Sequence, residues 1–269
     1  QMQLAVLVFL VAYILIATEK INRVAVALGG AAAMIVIGAT DADAIFYDHD
    51  TGIDWNVIFL LLGMMIIVGV IHKTGLFEFL AIKAIKKAKG EPKRALVFLI
   101  ILTAVASAIL DNVTTILLAV PMTLVVCKQL NVSPVPFILS QVFASNIGGA
   151  ATLVGDPPNI IIASRANLSF NDFLVHMAPW VIVVMMVITP MLVFMFRKEL
   201  VNSAADRARI DKLDENSYLK DKVLLKKSLL VLGSVMIAFV LHTALHLEPS
   251  IVAMLGAGVL VGIDRKSVV

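Results

Sequence analysis

Two polar clusters interrupt long apolar stretches of this sequence, and they hold the residues best suited to chemistry. The first is Asp111-Asn112-Val113-Thr114-Thr115. The second runs Ser145-Asn-Ile-Gly-Gly-Ala-Ala-Thr-Leu-Val-Gly-Asp-Pro-Pro-Asn159. Placed in a membrane, an ionisable group costs at least about 2.5–3.5 kcal/mol on insertion scales, so it needs a partner or a function. Asp111 and Asn112 fall where one apolar limb ends and the next begins. Carbonyls at the end of the first limb, with Asp111, favour a cation or a proton. N–H groups at the start of the second limb, from Val113, favour an anion. In the second cluster, Pro157-Pro158 removes two N–H donors and breaks a helix. Gly148-Gly149 permits close backbone approach and unusual dihedrals. Unwound backbone at membrane depth is tolerated only where it lines a cavity or is buried in protein. Asn146, Thr152, Asp156 and Asn159 can then offer oxygens to a desolvated ion.

The rest of the chain puts these clusters in a bilayer. Of its 269 residues 60% are hydrophobic and 15% charged, and mean hydropathy is +0.98. A soluble domain is about 45–50% apolar and about 25% charged, so one globular core cannot absorb this excess. Apolar runs near the spanning length of about 20 residues recur, and the class is an all-α polytopic membrane protein whose first partner is the lipid bilayer. This excludes a soluble enzyme, a nucleic-acid partner and a secreted disulfide scaffold. The single cysteine, Cys127, excludes an internal disulfide and a cysteine-based metal site. The first segment lacks the basic n-region of a cleavable signal, and the expectation is a fragment truncated at both ends.

Seven apolar spans are drawn at 4–18, 24–39, 55–72, 133–165, 176–196, 226–245 and 249–263, the fourth interrupted by the second cluster. Lysine and arginine orient them. One set of loops carries 21 of the 22 basic residues, and the opposite set only Arg165; residues 40–54 carry five aspartates and no Lys or Arg. The basic loops are therefore expected in the cytoplasm of a multi-pass protein of the cell membrane. Within them, residues 76–90 alternate Leu76, Phe79, Leu80 and Ile82 with Lys83, Lys86, Lys87 and Lys89, the pattern of an amphipathic arm lying along the interface.

Between the third and fourth spans, residues 94–127 form two apolar limbs of 17 and 16 residues meeting at Asp111-Asn112. As helices they extend about 24–26 Å, short of a crossing of about 30 Å. A re-entrant hairpin with its tip inside the membrane fits. Two short spans joined by an outer loop at Asp111 have the same parity and stay open. For the second cluster, the open alternative is an outer loop between two spans.

The two ends of the chain look alike. Asn22–Gly38 and Pro249–Gly262 are small-residue segments, each following a long apolar span after a short loop. An odd number of crossings separates them, so the second unit is inverted. Inverted repeats mark secondary transporters with a site at the midplane. On this reading residues 1–200 are one full repeat, 201–225 a cytoplasmic linker and 226–269 the start of a second.

Together the two clusters resemble the ion-transporter superfamily, and most closely its arsenite permease and D-type sodium/proton antiporter family. That family includes the melanosomal P protein and citrate-transporter-like permeases. The resemblance covers the whole chain in order. It implies an inverted-repeat fold with one re-entrant hairpin and one discontinuous helix per repeat, homodimers and elevator-like alternating access. By the same resemblance Asp111, Asn112, Thr114 and Thr115 match the hairpin tip, and Asn146, Gly148, Gly149, Thr152, Gly155, Asp156 and Asn159 match the broken helix. These bind a small ion substrate together with a coupling sodium ion or proton; Asp111, Asn112 and Thr152 are the candidate sodium ligands, and no other cofactor is implied. The dicarboxylate-symporter branch has Ser-Asn-Thr at the tip, and here Asp111 replaces the serine. A carboxylate there suits a proton or sodium ion better than an added anion.

The expected function is ion-coupled secondary transport of an inorganic or organic anion, with sodium/proton exchange as the alternative. A remoter reading makes Asp111 and Asp156 the dyad of an intramembrane aspartyl protease; the Gly-x-Gly-Asp motif this needs is missing, since residues 153–156 read Leu-Val-Gly-Asp. His242 and His246 share a helical spacing but read as an interfacial helix end.

Overall fold

The computed structural model describes residues 2–48, 52–203, 210 and 214–264. Among them there are helices and no strands, and the protein is an all-helical polytopic membrane protein. The stretches 204–209, 211–213 and 265–269, the first two inside the expected linker, lie outside the described residues.

The chain forms two compact units, residues 1–55 and 56–269. In the first, α1 (Met2–Ala17) and α2 (Arg23–Val36) form a helical hairpin, followed by the short α3 (Ala42–Phe46). Asn22 and Asp41 accept N–H bonds from Val24 (2.9 Å) and Ala44 (2.8 Å), which is why α2 and α3 begin where they do. α1 is apolar on every face and has no buried residue, as suits a helix facing lipid.

The second unit comprises α4 (Trp55–Lys73), α5 (Leu76–Lys87), α6 (Pro92–Ile109), α7 (Asn112–Leu130), α8 (Val135–Gly149), α9 (Pro157–Ala166), α10 (Phe170–Met195), a 3-10 turn (Glu215–Tyr218), α11 (Lys222–Leu245) and α12 (Pro249–Ile263). α4, α6, α7, α10 and α11 are each long and apolar enough to cross a membrane. The hairpin limbs α6 and α7 have 18 and 19 residues, about 27 and 29 Å. They outrun the apolar limbs drawn from sequence because Pro92 opens α6 at its first position and α7 continues to a left-handed Asn131. Length therefore no longer separates a re-entrant hairpin from two crossings.

Two apolar cores organise this unit. One gathers Val57, Leu60, Ile67 and Ile71 of α4 with Phe170, Phe239, Ala253 and Leu260. The other gathers Ile82 and Ile85 of α5 with Leu96, Ile100, Val126 and Phe137 of α6 to α8. The expected interfacial arm is thus α5 with its apolar face spent on protein: Ala81, Ile82 and Ile85 are buried. Its lysines remain outside, with Lys87 over the Phe98 ring and Lys86 paired with Glu215 of the 3-10 turn. The segment around that turn is tied down further where Lys220 N–H donates to the Thr74 carbonyl (2.9 Å). Asn202 donates to the Gly90 carbonyl (2.9 Å) between α5 and α6.

Candidate functional site

The first half of the site is the turn between α6 and α7. α6 stops at Leu110, whose extended backbone leaves the helix, and Asp111 N-caps α7. One carboxylate oxygen of Asp111 accepts from Thr114 N–H at 2.8 Å, and its carbonyl accepts from Thr115 N–H at 3.0 Å. Asn112 N–H donates to the Gly155 carbonyl at 3.1 Å. The N–H groups that the sequence left open to an anion are therefore largely engaged within the protein, and what the turn presents is acceptor oxygen.

The second half is the break between α8 and α9. It lies later at one end and earlier at the other than sequence places it. Asn146, Gly148 and Gly149 are the last turn of α8, and Pro157 and Pro158 are the first turn of α9, where a missing N–H costs nothing. The unwound connector is 150–156. Neither its one glycine, Gly155, nor Gly148 or Gly149 has positive φ; their value is space. A Cβ on Gly155 would meet the carbonyls of Gly149 and Ser107, and one on Gly148 the backbone of Ala104. The hairpin and the broken helix approach backbone to backbone.

Hydrogen bonds then lock the two halves together. Thr152 Oγ1 donates to the Ala108 carbonyl at the end of α6 (2.5 Å) and accepts from Gly155 N–H (3.1 Å). Asn159 Nδ2 donates to the carbonyls of Gly149 (3.2 Å) and Thr152 (3.0 Å), so its amide clasps the connector. Ser107 Oγ donates to the Ser145 carbonyl at 2.7 Å. Asn112 Nδ2 donates to Asn146 Oδ1 at 3.2 Å, while Asn146 Nδ2 donates back to the Val142 carbonyl at 2.9 Å.

All eleven residues singled out from sequence come to this one junction, in two roles. Gly148, Gly149, Gly155, Thr152 and Asn159 build it. Asp111, Asn112, Asn146 and Asp156 present polar atoms, with Thr114 and Thr115 on the first turn of α7. The Asp156 carboxylate sits beside the Asn112 amide and within electrostatic reach of Asp111. Asn112 Oδ1 and Thr115 Oγ1 are buried with no hydrogen-bond partner, and one helical turn separates them. Two carboxylates and two unpaired buried oxygens make a cation-seeking set. Thr152, by contrast, has its hydroxyl committed as donor and acceptor and serves as a clip.

One element of this region escaped the sequence reading. Thr123 Oγ1 of α7 donates to Gln141 Oε1 of α8 at 2.6 Å, and Gln141 Nε2 donates to Thr103 Oγ1 of α6 at 3.2 Å. All three are buried. The legible signal was spacing: Thr103 with Ser107, and Gln141 with Ser145, lie four apart on apolar helices. The two histidines do not form a pair on one helix face. His242 Nε2 accepts from Phe170 N–H at the start of α10 (3.2 Å), and His246 is the left-handed cap beyond α11.

An all-helical polytopic membrane protein with paired interrupted helices and acceptor-rich polar atoms at their junction has the construction of a membrane transporter. A family model described as Citrate transporter matches residues 13–267, and the chain belongs to that family. An uncharacterized transporter of Mycobacterium tuberculosis is 53% identical over 96% of this chain and 60% of its own length. The 46 kDa membrane protein of Mycobacterium leprae is 50% identical over 97% of this chain and 61% of its own. The human P protein is 37% identical over 71% of this chain and 24% of its own. The chain thus spans about 60% of the length of its mycobacterial relatives.

Proposed function

We propose that this chain contributes one half of the site of an ion-coupled secondary transporter, with Asp111, Asn112 and Asp156 holding the coupling sodium ion or proton. The observation that carries the reading is the Asn112 carbonyl oxygen. It is buried without a partner beside two aspartates, at the meeting point of two interrupted helices. A bound cation or a shared proton would satisfy that oxygen and relieve the repulsion between the carboxylates.

The transported solute is a small anion, organic as in the family's description or an oxyanion such as arsenite. It would enter beside the coupling cation and be completed by groups from a second, inverted repeat. Sodium/proton exchange is the second reading, and the pair of carboxylates favours it, since negative charge repels an anion until neutralised. The transporter names of the relatives favour transport over proteolytic use of the two aspartates. In this reading the α6–α7 hairpin is re-entrant, the basic loops face the cytoplasm, the protein sits in the cell membrane, and two copies form a dimer.

The test uses the full-length protein in proteoliposomes, with sodium, proton, citrate and arsenite gradients imposed in turn. Asp111→Asn and Asp156→Asn are each expected to abolish coupled flux while leaving insertion intact. Coupled flux unchanged in both variants would overturn the assignment of these carboxylates. An introduced cysteine at Lys87 labelled from outside would overturn the orientation.

A further inference from the structure

The first turn of α6 and the end of α10 frame a cavity that none of the candidate site residues lines. This cavity, of about 430 Å³, is lined by Lys93 and Val97 of α6 and by Pro190, Val193, Phe194 and Arg197 of α10 or its end. A second cavity, of about 600 Å³, adjoins it across Thr189 and Pro190, and we take the two as one trough whose far wall includes Ala108, Gly148 and Thr152 at the back of the junction. Above the shared residues its walls are almost wholly apolar, with Ile101, Val105 and Met186 among them. Both volumes fall in the range of about 300–1,000 Å³ that holds small organic ligands.

The charges sit only at the lower mouth. Lys93 and Arg197 are both exposed there, and they come from different helices. The Arg197 guanidinium is held over the Phe194 ring, 4.2 Å from its centre, which fixes it at the trough rather than in bulk solvent. Two neighbouring cations are committed elsewhere: Arg94 pairs with Glu91 at 2.8 Å, and Lys87 lies over Phe98 at 5.3 Å. The N-terminal turn of α6 adds its own preference for negative charge.

We propose that this trough binds one anionic phospholipid, its phosphate between Lys93 and Arg197 and an acyl chain laid along Val97 and Val193 into the apolar cavity. Basic pockets between membrane helices recognise acidic headgroups in this way. The apolar wall rules for a lipid over a free anion, because a free anion has nothing to gain from the part of the trough above Pro190. A second copy or another helix seated here would leave two cations facing an apolar groove unless it brought an acid of its own.

The test follows thermal unfolding of the full-length protein in a neutral detergent. Phosphatidylglycerol, phosphatidylcholine with the same chains, and glycerol phosphate are added separately. Phosphatidylglycerol is expected to raise the midpoint, and the other two to leave it unchanged. The Lys93→Gln/Arg197→Gln double variant should need at least about tenfold more phosphatidylglycerol for the same shift. Lys83→Gln/Lys87→Gln should respond as the parent does, and Ala178→Phe, which fills the upper trough, should lose the response. Equal shifts with phosphatidylcholine, a parental response in the Lys93/Arg197 variant, or an equal loss in the Lys83/Lys87 variant would each overturn the proposal. So would a dimer that Ala178→Phe dissociates without lipid. Because Lys93 and Arg197 are exposed, their variant should fold, and phosphatidylglycerol carried through purification, counted by mass spectrometry, gives an independent reading.

Discussion

The two cores of the second unit are built from different materials. The core around α4, α11 and α12 is almost wholly apolar, with Phe170 against Phe239 at 5.7 Å. Its helices meet through small residues: a Cβ on Gly63 would meet the backbone of Ala253. The core of α5 to α8 is apolar too, but the Thr103–Gln141–Thr123 chain and the Ser107–Ser145 bond run through it. Lipid tails are as apolar as leucine, so burying leucine does not by itself bring membrane helices together; small residues and interhelical hydrogen bonds do. Both cores use both devices, but the hydrogen bonds of the first are only partly buried, Phe170 N–H to His242 Nε2 at 3.2 Å and Ser250 Oγ to Asn56 Oδ1 at 3.1 Å, whereas those of the second run through its interior. The broken helix joins them, because Phe137 and Ala144 before the break belong to the polar-braced core, and Leu153 and Val154 within it and Ile160 after it belong to the apolar one. The helix is interrupted where its two ends change partners, and the candidate site lies at that change.

The largest expected effect separates binding from framework at that point. Asp111→Asn keeps an N-cap, since asparagine caps as well as aspartate, yet removes a charge. Loss of a charge-assisted contact of about 1.5–3 kcal/mol predicts roughly 10- to 150-fold weaker binding of the coupling cation with an unchanged unfolding midpoint. Sodium or proton titration of the purified full-length protein checks it. A fall in stability of the same size would instead put Asp111 with the framework.

Glycine substitutions then sharpen the comparison of the cores. Gly155→Ala and Gly63→Ala each force a methyl onto backbone, at about 1–3 kcal/mol by overpacking, read as detergent unfolding. Gly155→Ala is expected to depress coupled flux in protein that remains folded, and Gly63→Ala to leave the flux per folded molecule unchanged. Gln141→Leu comes next. Interhelical hydrogen bonds in membrane proteins average about 0.6 kcal/mol, reaching about 1.7, so a loss within that range is expected. A double-mutant cycle with Thr123→Val should show non-additivity, whereas additive losses would mean that the chain does not brace this core.

The smallest effect concerns the docked segment after α10. The hydrogen bond from Lys86 holds the Glu215 carboxyl below the ordinary carboxylate range. A depressed folded-state pKa contributes stability above the unfolded value and loses it as pH falls through the folded one. Protection of the Glu215–Tyr218 turn from protease is therefore expected to persist from neutrality down to the carboxylate range and to fail below it. Glu215→Gln should remove that dependence.

Several features are local and were legible in the residues alone. Apolar runs mark membrane helices because a helix satisfies its own backbone wherever it lies. Asp111 before Val113-Thr114 marks a capped helix start, and Pro157-Pro158 marks a restart, because caps and prolines act within a turn. The apolar limbs were drawn too short for the same reason: α6 and α7 run past their apolar ends into Pro92 and Leu130.

What a polar group has left to offer was decided only by tertiary structure. Thr152 and Asn112 both read as ion ligands from sequence. Folding commits the Thr152 hydroxyl to Ala108, 44 residues away, and leaves the Asn112 carbonyl buried and unpaired. The Gln141 brace and the two-sided allegiance of the broken helix are equally non-local. A hydrogen bond reaches about 3 Å, and only the packing of distant segments determines which atoms come that close.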